Sequence, residues 1–263
     1  AITGETRGGY KNYTLTLSGM LSHEHERLLT AITADSASPY VIDSLPNLAS
    51  YVIVRVWGDA PSGNNYTVDI AKGCKLQKLT FTGASGDVIR YEAAFMIKEK
   101  SREVTQQITG TDPGTPSPEG FNFGNIPDRI ELCFGDTEHL KSFSLSIGYD
   151  LADDASSYQN SLERLDTIPL KANCEFNYVT NYDASNSSYD KVAESLLFGA
   201  AAITEMLVFA NSKAAWKFDI QGQLIDYQLA DPDRALFENN VTEKLCYYPP
   251  STYPLTITVT EKP

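Results

Sequence analysis

The clearest hydrophobic pattern in the chain runs over residues 73–98, where apolar and polar positions alternate on both sides of a turn. Ile89, Tyr91, Ala93, Phe95 and Ile97 fall on one face, and Arg90, Glu92, Ala94 and Met96 on the other, as the two-residue period of a strand requires. The preceding arm sets Leu79 and Phe81 against Lys78, Thr80 and Thr82. Between the arms lies Gly83-Ala84-Ser85-Gly86-Asp87, with two glycines free to take positive φ. The pattern predicts a long β-hairpin with a short loop. Its second face is polar, which suits a sheet that meets another chain or lines an aqueous channel.

The same reading extends along the chain. A strand is expected over 13–20, and Ser22 can cap a helix that runs to Thr33, with Glu24 and Glu26 in its first turn and Leu28, Leu29 and Ile32 on its apolar face. Strands follow over 40–42, 50–57 and 66–70, the last two separated by a loop over 59–65. From Ser101 the alternation dissolves, and residues 109–120, with three prolines, read as a linker or long exposed loop. Strands resume over 129–134 and 141–149, then a polar stretch over 150–160 precedes a strand starting near Ile168 and strongest over 170–180.

The second half appears in the sequence as a replay of the first. A polar segment over 181–188 leads to a helix expected over 189–202, whose Glu194-Ser195-Leu196-Leu197 matches Glu26-Arg27-Leu28-Leu29 at a shift of 168 residues (194 against 26). Residues 51–57 and 215–220 are aromatic-ended strands, and 89–97 and 254–260 are closing strands. The order of elements divides the chain into a unit over 1–108, a linker or long exposed loop over 109–127 and a second unit over 128–263, the alternative being two unrelated β-rich halves that share a helix each.

Composition fits a folded, β-rich protein: 263 residues, 42% hydrophobic, 11% aromatic, with 15 Tyr. The longest apolar run, 196–208, is interrupted by Thr204 and Glu205 and is too short to span a bilayer. The first residues lack the features of a signal peptide, and an initial Ala fits removal of Met. A net charge of −13, from 34 acidic and 21 basic residues, argues against wrapping a nucleic acid through its phosphates. It is compatible with a nucleic acid that passes a like-charged wall without sticking.

Reaction chemistry is not legible. Cys74, Cys133, Cys174 and Cys246 are widely spaced and read as reduced, packed thiols, although an even count also permits two disulfides in three connectivities. His23 and His25 flank Glu24, but residues two apart on a short helix diverge, so a solvated helix start is expected rather than a metal site. Ser195 has no Gly-x-Ser-x-Gly elbow, and dinucleotide, phosphate-loop and His-Glu-x-x-His motifs are missing from the sequence. The carboxylate pairs Asp153/Asp154 and Asp231/Asp233 read as solvated turns. No catalytic residue, metal or cofactor is expected, and the chain is read as a non-enzyme.

The block Gly73-Cys74-Lys75-Leu76-Gln77-Lys78-Leu79-Thr80-Phe81, the Ser85-Gly86-Asp87 turn, the strand over 89–97 and the final Pro-Leu-Thr-Ile-Thr-Val strand resemble those of the tail tube proteins (major tail proteins) of tailed phages and related viruses. The order of elements extends that resemblance over most of the chain, while the motif covers about a tenth of it. The resemblance implies a mainly β fold of two tandem tail-tube-like β-sandwich or half-barrel units, each with one flanking helix. It implies a structural virion protein that polymerises as stacked rings into the hollow tube through which genomic DNA passes. Its partners would be itself, as trimeric pseudo-sixfold or alternatively hexameric rings, other tail proteins, and DNA that is not specifically bound. Its place would be the virion tail, after assembly in the host cytoplasm. Leu79, Phe81, Gly86, Tyr91 and Phe95 would form the barrel hairpin; Lys78, Thr80, Arg90 and Glu92 would face the lumen; Asp112, Pro113, Pro116 and Glu119 would lie in an inter-ring loop. Closing the sheet across subunits would also remove exposed strand edges.

The alternative is a β-sandwich carbohydrate- or receptor-binding module or surface adhesin subunit. Tyr247, Tyr248 and Tyr253 could stack on sugars, and Asn12, Asn65, Asn186 and Asn240 lie in glycosylation triplets.

Overall fold

Long alternating runs pair into sheets because that buries one face of each strand and satisfies its backbone. The computed structural model describes residues 2–7, 10–42, 48–57, 67–104, 119–126, 130–132, 136–138, 140–153, 167–181, 203–230, 238–245 and 255–262. The loop expected over 59–65, Asp112, Pro113 and Pro116, Cys133 and Cys246, Asp154, Asp231 and Asp233, the second helix with Ser195, Tyr247, Tyr248 and Tyr253, and Asn65 and Asn186 lie outside the described residues.

The protein is mainly β, as its alternation predicts. Its strands are β1 (Ile2–Arg7), β2 (Tyr10–Met20), β3 (Tyr40–Val41), β4 (Tyr51–Trp57), β5 (Thr67–Ala84), β6 (Arg90–Ile97), β7 (Glu99–Val104), β8 (Ile130–Leu132) and β9 (Asp136–Glu138) in the first part. The remainder are β10 (Leu140–Asp153), β11 (Thr167–Asn181), β12 (Ile203–Ala210), β13 (Ala214–Ala230), β14 (Glu238–Leu245) and β15 (Leu255–Glu261). Among the described residues thirteen strands join one antiparallel sheet, with β8 and β9 forming a second, two-stranded one.

Two long strands organise the large sheet. The first part of β5, residues 67–74, pairs with β4 on one side and β7 on the other. Its later part pairs with β6 and with β10, and β6 continues to β2. Around β13 the arrangement recurs: β12 and β15 pair with its first part, β14 with its later part, and β14 continues to β11. Both long strands bulge against their partner at matching places, Leu76/Lys78 and Leu224/Asp226, and β6 and β14 are eight residues each. These features repeat at a shift of 148 residues (224 against 76, 238 against 90).

Several sequence expectations are corrected. Residues 66–70 do not form a separate strand but open β5, whose register shift at Gly73 (φ +64°) lets one strand serve two sets of partners. Strand structure continues past Ser101 through β7, and β10 runs to Asp153 into the expected polar stretch. By its pairing, β12 rather than β13 occupies the place of β4, and β14 rather than β15 that of β6. Alternation marks a strand without naming its neighbours, which explains the mismatch.

The helix is shorter than expected. A 3-10 turn, His23–Glu26, precedes α1 (Arg27–Thr33), which ends where Ala34 takes a left-handed φ of +68°. Ser22 nevertheless marks its start: the backbone N–H of Ser22 donates to His25 Nδ1 (3.1 Å), and its hydroxyl lies 2.8 Å from the same nitrogen. Leu29 and Ile32 are fully buried, and α1 packs on β5. Tyr40 donates to Glu26 Oε1 (2.6 Å), and burial, then that carboxylate, pushes its phenol up to about 12.

The buried side chains make one cluster that spans both halves. Phe81 lies edge-on to Phe209, Trp216 and Phe218, with centroids 6.0, 6.3 and 5.6 Å away. Phe121, Phe123 and Ile126 belong to this core, although they follow directly on the proline-rich segment expected to be exposed. Phe121 is fully buried, its N–H donates to Leu21 O (2.9 Å), and its carbonyl accepts from Ile89 N–H (2.8 Å).

Candidate functional site

The face of the sheet opposite the core is polar, and strand register lines it up in rows. One row reads Ser18, Glu92, Thr80, Ser146 and Glu175 across β2, β6, β5, β10 and β11, and its register continues to Lys244 on β14. The next reads Met20, Arg90, Thr82, Ser144 and Asn177, continuing to Thr242. A third contains Thr16, Ala94, Lys78, Gly148 and Asn173. Alternate rows point into the core, where Ala93, Leu79, Ile147 and Cys174 stand in register. Five strands, β2, β6, β5, β10 and β11, thus share one polar surface, and backbone register carries its rows on to β14.

All the predicted lumen residues belong to it. Lys78, Arg90 and Glu92 are exposed and Thr80 is partly covered. A shallow groove of about 400 Å³ follows the rows, lined by Lys78, Thr80, Ser144, Ser146, Asn173 and Glu175 among others. Arg90 Nε is 3.6 Å from Asp87 in an exposed pair, of little energetic weight. The Asp87 carboxyl is held below the usual carboxylate range, first by the Val88 N–H it accepts (2.7 Å) and then by Arg90. Asn177 donates to Glu175 Oε1 (2.6 Å). Lys78 and Arg90 offset Glu92 and Glu175, so the described face is mixed in sign rather than acidic as the net charge suggested.

The hairpin residues differ in burial. Leu79 and Phe81 are fully buried and Phe95 is 4% exposed. Tyr91 is half-buried, with its ring centroid 4.6 Å from that of His25. Gly86 forms the turn at φ +84°, closed by Asp87 N–H donating to Ala84 O (3.1 Å). Gly83 has a different role from the one expected: it does not take positive φ, and a Cβ there would stand 2.5 Å from Phe143 and 3.1 Å from Phe123. It is small because two rings pack over it.

Glu119 is exposed but tied down within the chain. It accepts from the Ser212 N–H (3.2 Å) and the Ser212 hydroxyl, which together hold its carboxyl below the usual range. Asn211 completes the joint by donating to Glu119 O (2.8 Å) while its Oδ1 accepts from Lys213 and Ala214 N–H.

Sequence reasoning missed the contribution of β10 and β11. The run Ser142-Phe143-Ser144-Leu145-Ser146 carries the same alternation as the hairpin, but nothing local says that it pairs with β5. Among the described residues no three His, Cys, Asp or Glu side chains gather to hold a metal ion. No family model matches the chain, and a search of curated proteins finds no match to it.

Proposed function

We propose that the chain is a structural wall subunit, two tandem units in one polypeptide, that polymerises as stacked rings into a hollow viral tail tube carrying genomic DNA. The observation that supports this best is the polar face itself. Its rows run across strands of both halves without a break, while the opposite face is one continuous core. A wall needs that two-sidedness along its whole width, whereas a binding module needs it at one patch.

The recurrence of the β5 arrangement around β13 supports reading the chain as two equivalent wall segments, so three chains would supply six. The hydroxyls, amides and balanced charges of the described face suit a surface past which a polyanion slides: there is no concentrated basic patch among the described residues to hold phosphates. In this reading the chain catalyses nothing, and its partners are further copies, other tail proteins and the passing DNA.

Negative-stain electron microscopy of the concentrated protein tests the proposal. Rings or tubes with an open lumen are expected. A monomer at every concentration, above all one that binds glycans in an array, overturns it in favour of a carbohydrate- or receptor-binding module.

A further inference from the structure

β5 and β13 share the same set of neighbours with one exception. On one edge of β5, β4 covers residues 67–74 and β10 continues over 78–84. On the matching edge of β13, β12 covers residues 215–222, and among the described residues no strand pairs with that edge beyond it. The other edge there is taken by β14.

The strand that matches β10 is β1. β1 pairs with β2, which pairs with β6; β10 pairs with β11, which pairs with β14. Yet β10 also bonds to β5, whereas β1 has β2 as its sole partner among the described strands. Among the described strands, one half therefore lacks an edge strand and the other holds a strand with a spare edge. They lie far apart in the order β1-β2-β6-β5-β10-β11-β14-β13 and do not pair with each other.

Packing marks the same vacancy from the other side. In the second half Leu207, Phe209, Trp216 and Phe218 are fully buried, and Phe81 of β5 sits against the last three. Their counterparts by register are Arg55, Trp57, Thr67 and Asp69, with Ile53 and Ala71 paired next to them. There Ile53 is half-buried and Val54 is 51% exposed. With Leu15, Leu17, Ala71 and Tyr91 they line an open groove of about 610 Å³. Among the described residues nothing fills in the first half the seat that Phe81 fills in the second.

We infer that β1 of one copy pairs antiparallel with the open edge of β13 in the next copy, and that the groove beside Ile53 receives that strand. The register follows from the internal joint. Ile2 pairs with Leu15 as Leu145 pairs with Phe176, and Leu145 stands opposite Phe81, whose counterpart on β13 is Leu229. Ile2 therefore faces Leu229, Thr3 faces Gln228, Gly4 faces Tyr227 and Glu5 faces Asp226. Unpaired edges recruit strands, and the occupant is a second copy because the chain already makes this joint once within itself. The contact is head-to-tail, so it propagates until the rotation closes a ring or generates a helix. It deepens the tube reading and rests on that reading for self-assembly alone.

Cysteine pairs test the register. T3C and Q228C, each on its own chain, should form a reducible two-chain band when mixed and oxidised, and neither variant alone should do so. The double variant T3C/Q228C should give a ladder, and the out-of-register T3C/L229C little or none. Circular dichroism confirms that each variant folds, and hydrogen exchange on the unmodified protein gives a second readout: amides at 226–229 should slow on concentration. Rings that form without the cross-link overturn the edge assignment and leave the tube standing. Cross-linked oligomers that never form rings or tubes uphold the pairing and sink the tube. A disulfide confined to one chain, or a persistent monomer with unprotected 226–229 amides, overturns the inference.

Discussion

Removing the Phe81 ring should damage the whole protein rather than one hairpin. The side chain is fully buried on β5, yet its three aromatic neighbours, Phe209, Trp216 and Phe218, belong to β12 and β13. Truncating a buried Phe to Ala costs about 3–5 kcal/mol, more where the surroundings cannot collapse. Each edge-to-face pair adds roughly 0.5–1.5 kcal/mol beyond area, and rings held by paired strands have little room to relax, so the upper half of that range is expected for Phe81→Ala. Phe81→Leu keeps most of the volume and should lose about 1–2 kcal/mol.

Urea unfolding at one fixed protein concentration is the assay, since assembly would otherwise couple to stability. With a slope near 3 kcal/mol/M, Phe81→Ala moves the midpoint by about 1–2 M. Trp216, 6.3 Å from Phe81, gives a local fluorescence signal, and far-ultraviolet circular dichroism reports the strands. The two curves should coincide in both proteins. A loss below about 1 kcal/mol, or dichroism and fluorescence curves that separate, would falsify the view that one core joins both halves.

The turn and bulge glycines should respond differently. Gly73→Ala meets both a φ of +64° and a Cβ 2.6 Å from that of Lys98, and should lower stability by about 2–4 kcal/mol; Gly86→Val meets only the φ of +84° in open space, about 1–2 kcal/mol, most of it regained by Gly86→Asn. Thermal melts check both, and tubes unaltered by Gly86→Val would count against the hairpin as a wall element. Burial lowers the pKa of His25, so its stabilising effect is complete above the unfolded value near 6.5 and is lost as pH falls through the folded value, when Nδ1 can no longer accept from Ser22. A proton NMR titration midpoint at or above 6.5 contradicts this. Cys74 and Cys174 are buried, and burial raises both thiols, Cys174 to about 11, so native protein should leave both unlabelled by a maleimide that modifies them in denaturant. Mass spectrometry of the two peptides decides it.

What could be read from sequence was what local chemistry dictates. The period-two pattern of β6 placed Ile89, Phe95 and Ile97 inward and Arg90 and Glu92 outward, and the side-chain exposures agree. Ser22 marked a helix start because its polar groups can meet the first turn. Gly86 was legible as a turn residue because its φ is a local demand, whereas the need for Gly83 comes from Phe143 and Phe123, residues distant in sequence. Prolines in 109–120 hid the return of Phe121 to the core for the same reason: composition describes a segment, and burial depends on what lies beside it.

Strand pairing is the extreme case, since two strands of like alternation are interchangeable until register is known. The order of elements, anchored on two helical patterns 168 residues apart, matched the wrong strands, while the hydrogen-bonded arrangement repeats at 148. That second shift exposes what a sequence match could not: Leu207 pairs with Phe218 in one half where Arg55 pairs with Asp69 in the other. An apolar seat cannot stay open to water without inviting aggregation, so the half whose seat is filled within the chain carries the buried Leu207 and Phe218 there. The half whose seat waits for another copy carries the oppositely charged residues Arg55 and Asp69 instead. On the inferred pairing, this divergence lets each chain fold around its own joint before it makes the second one.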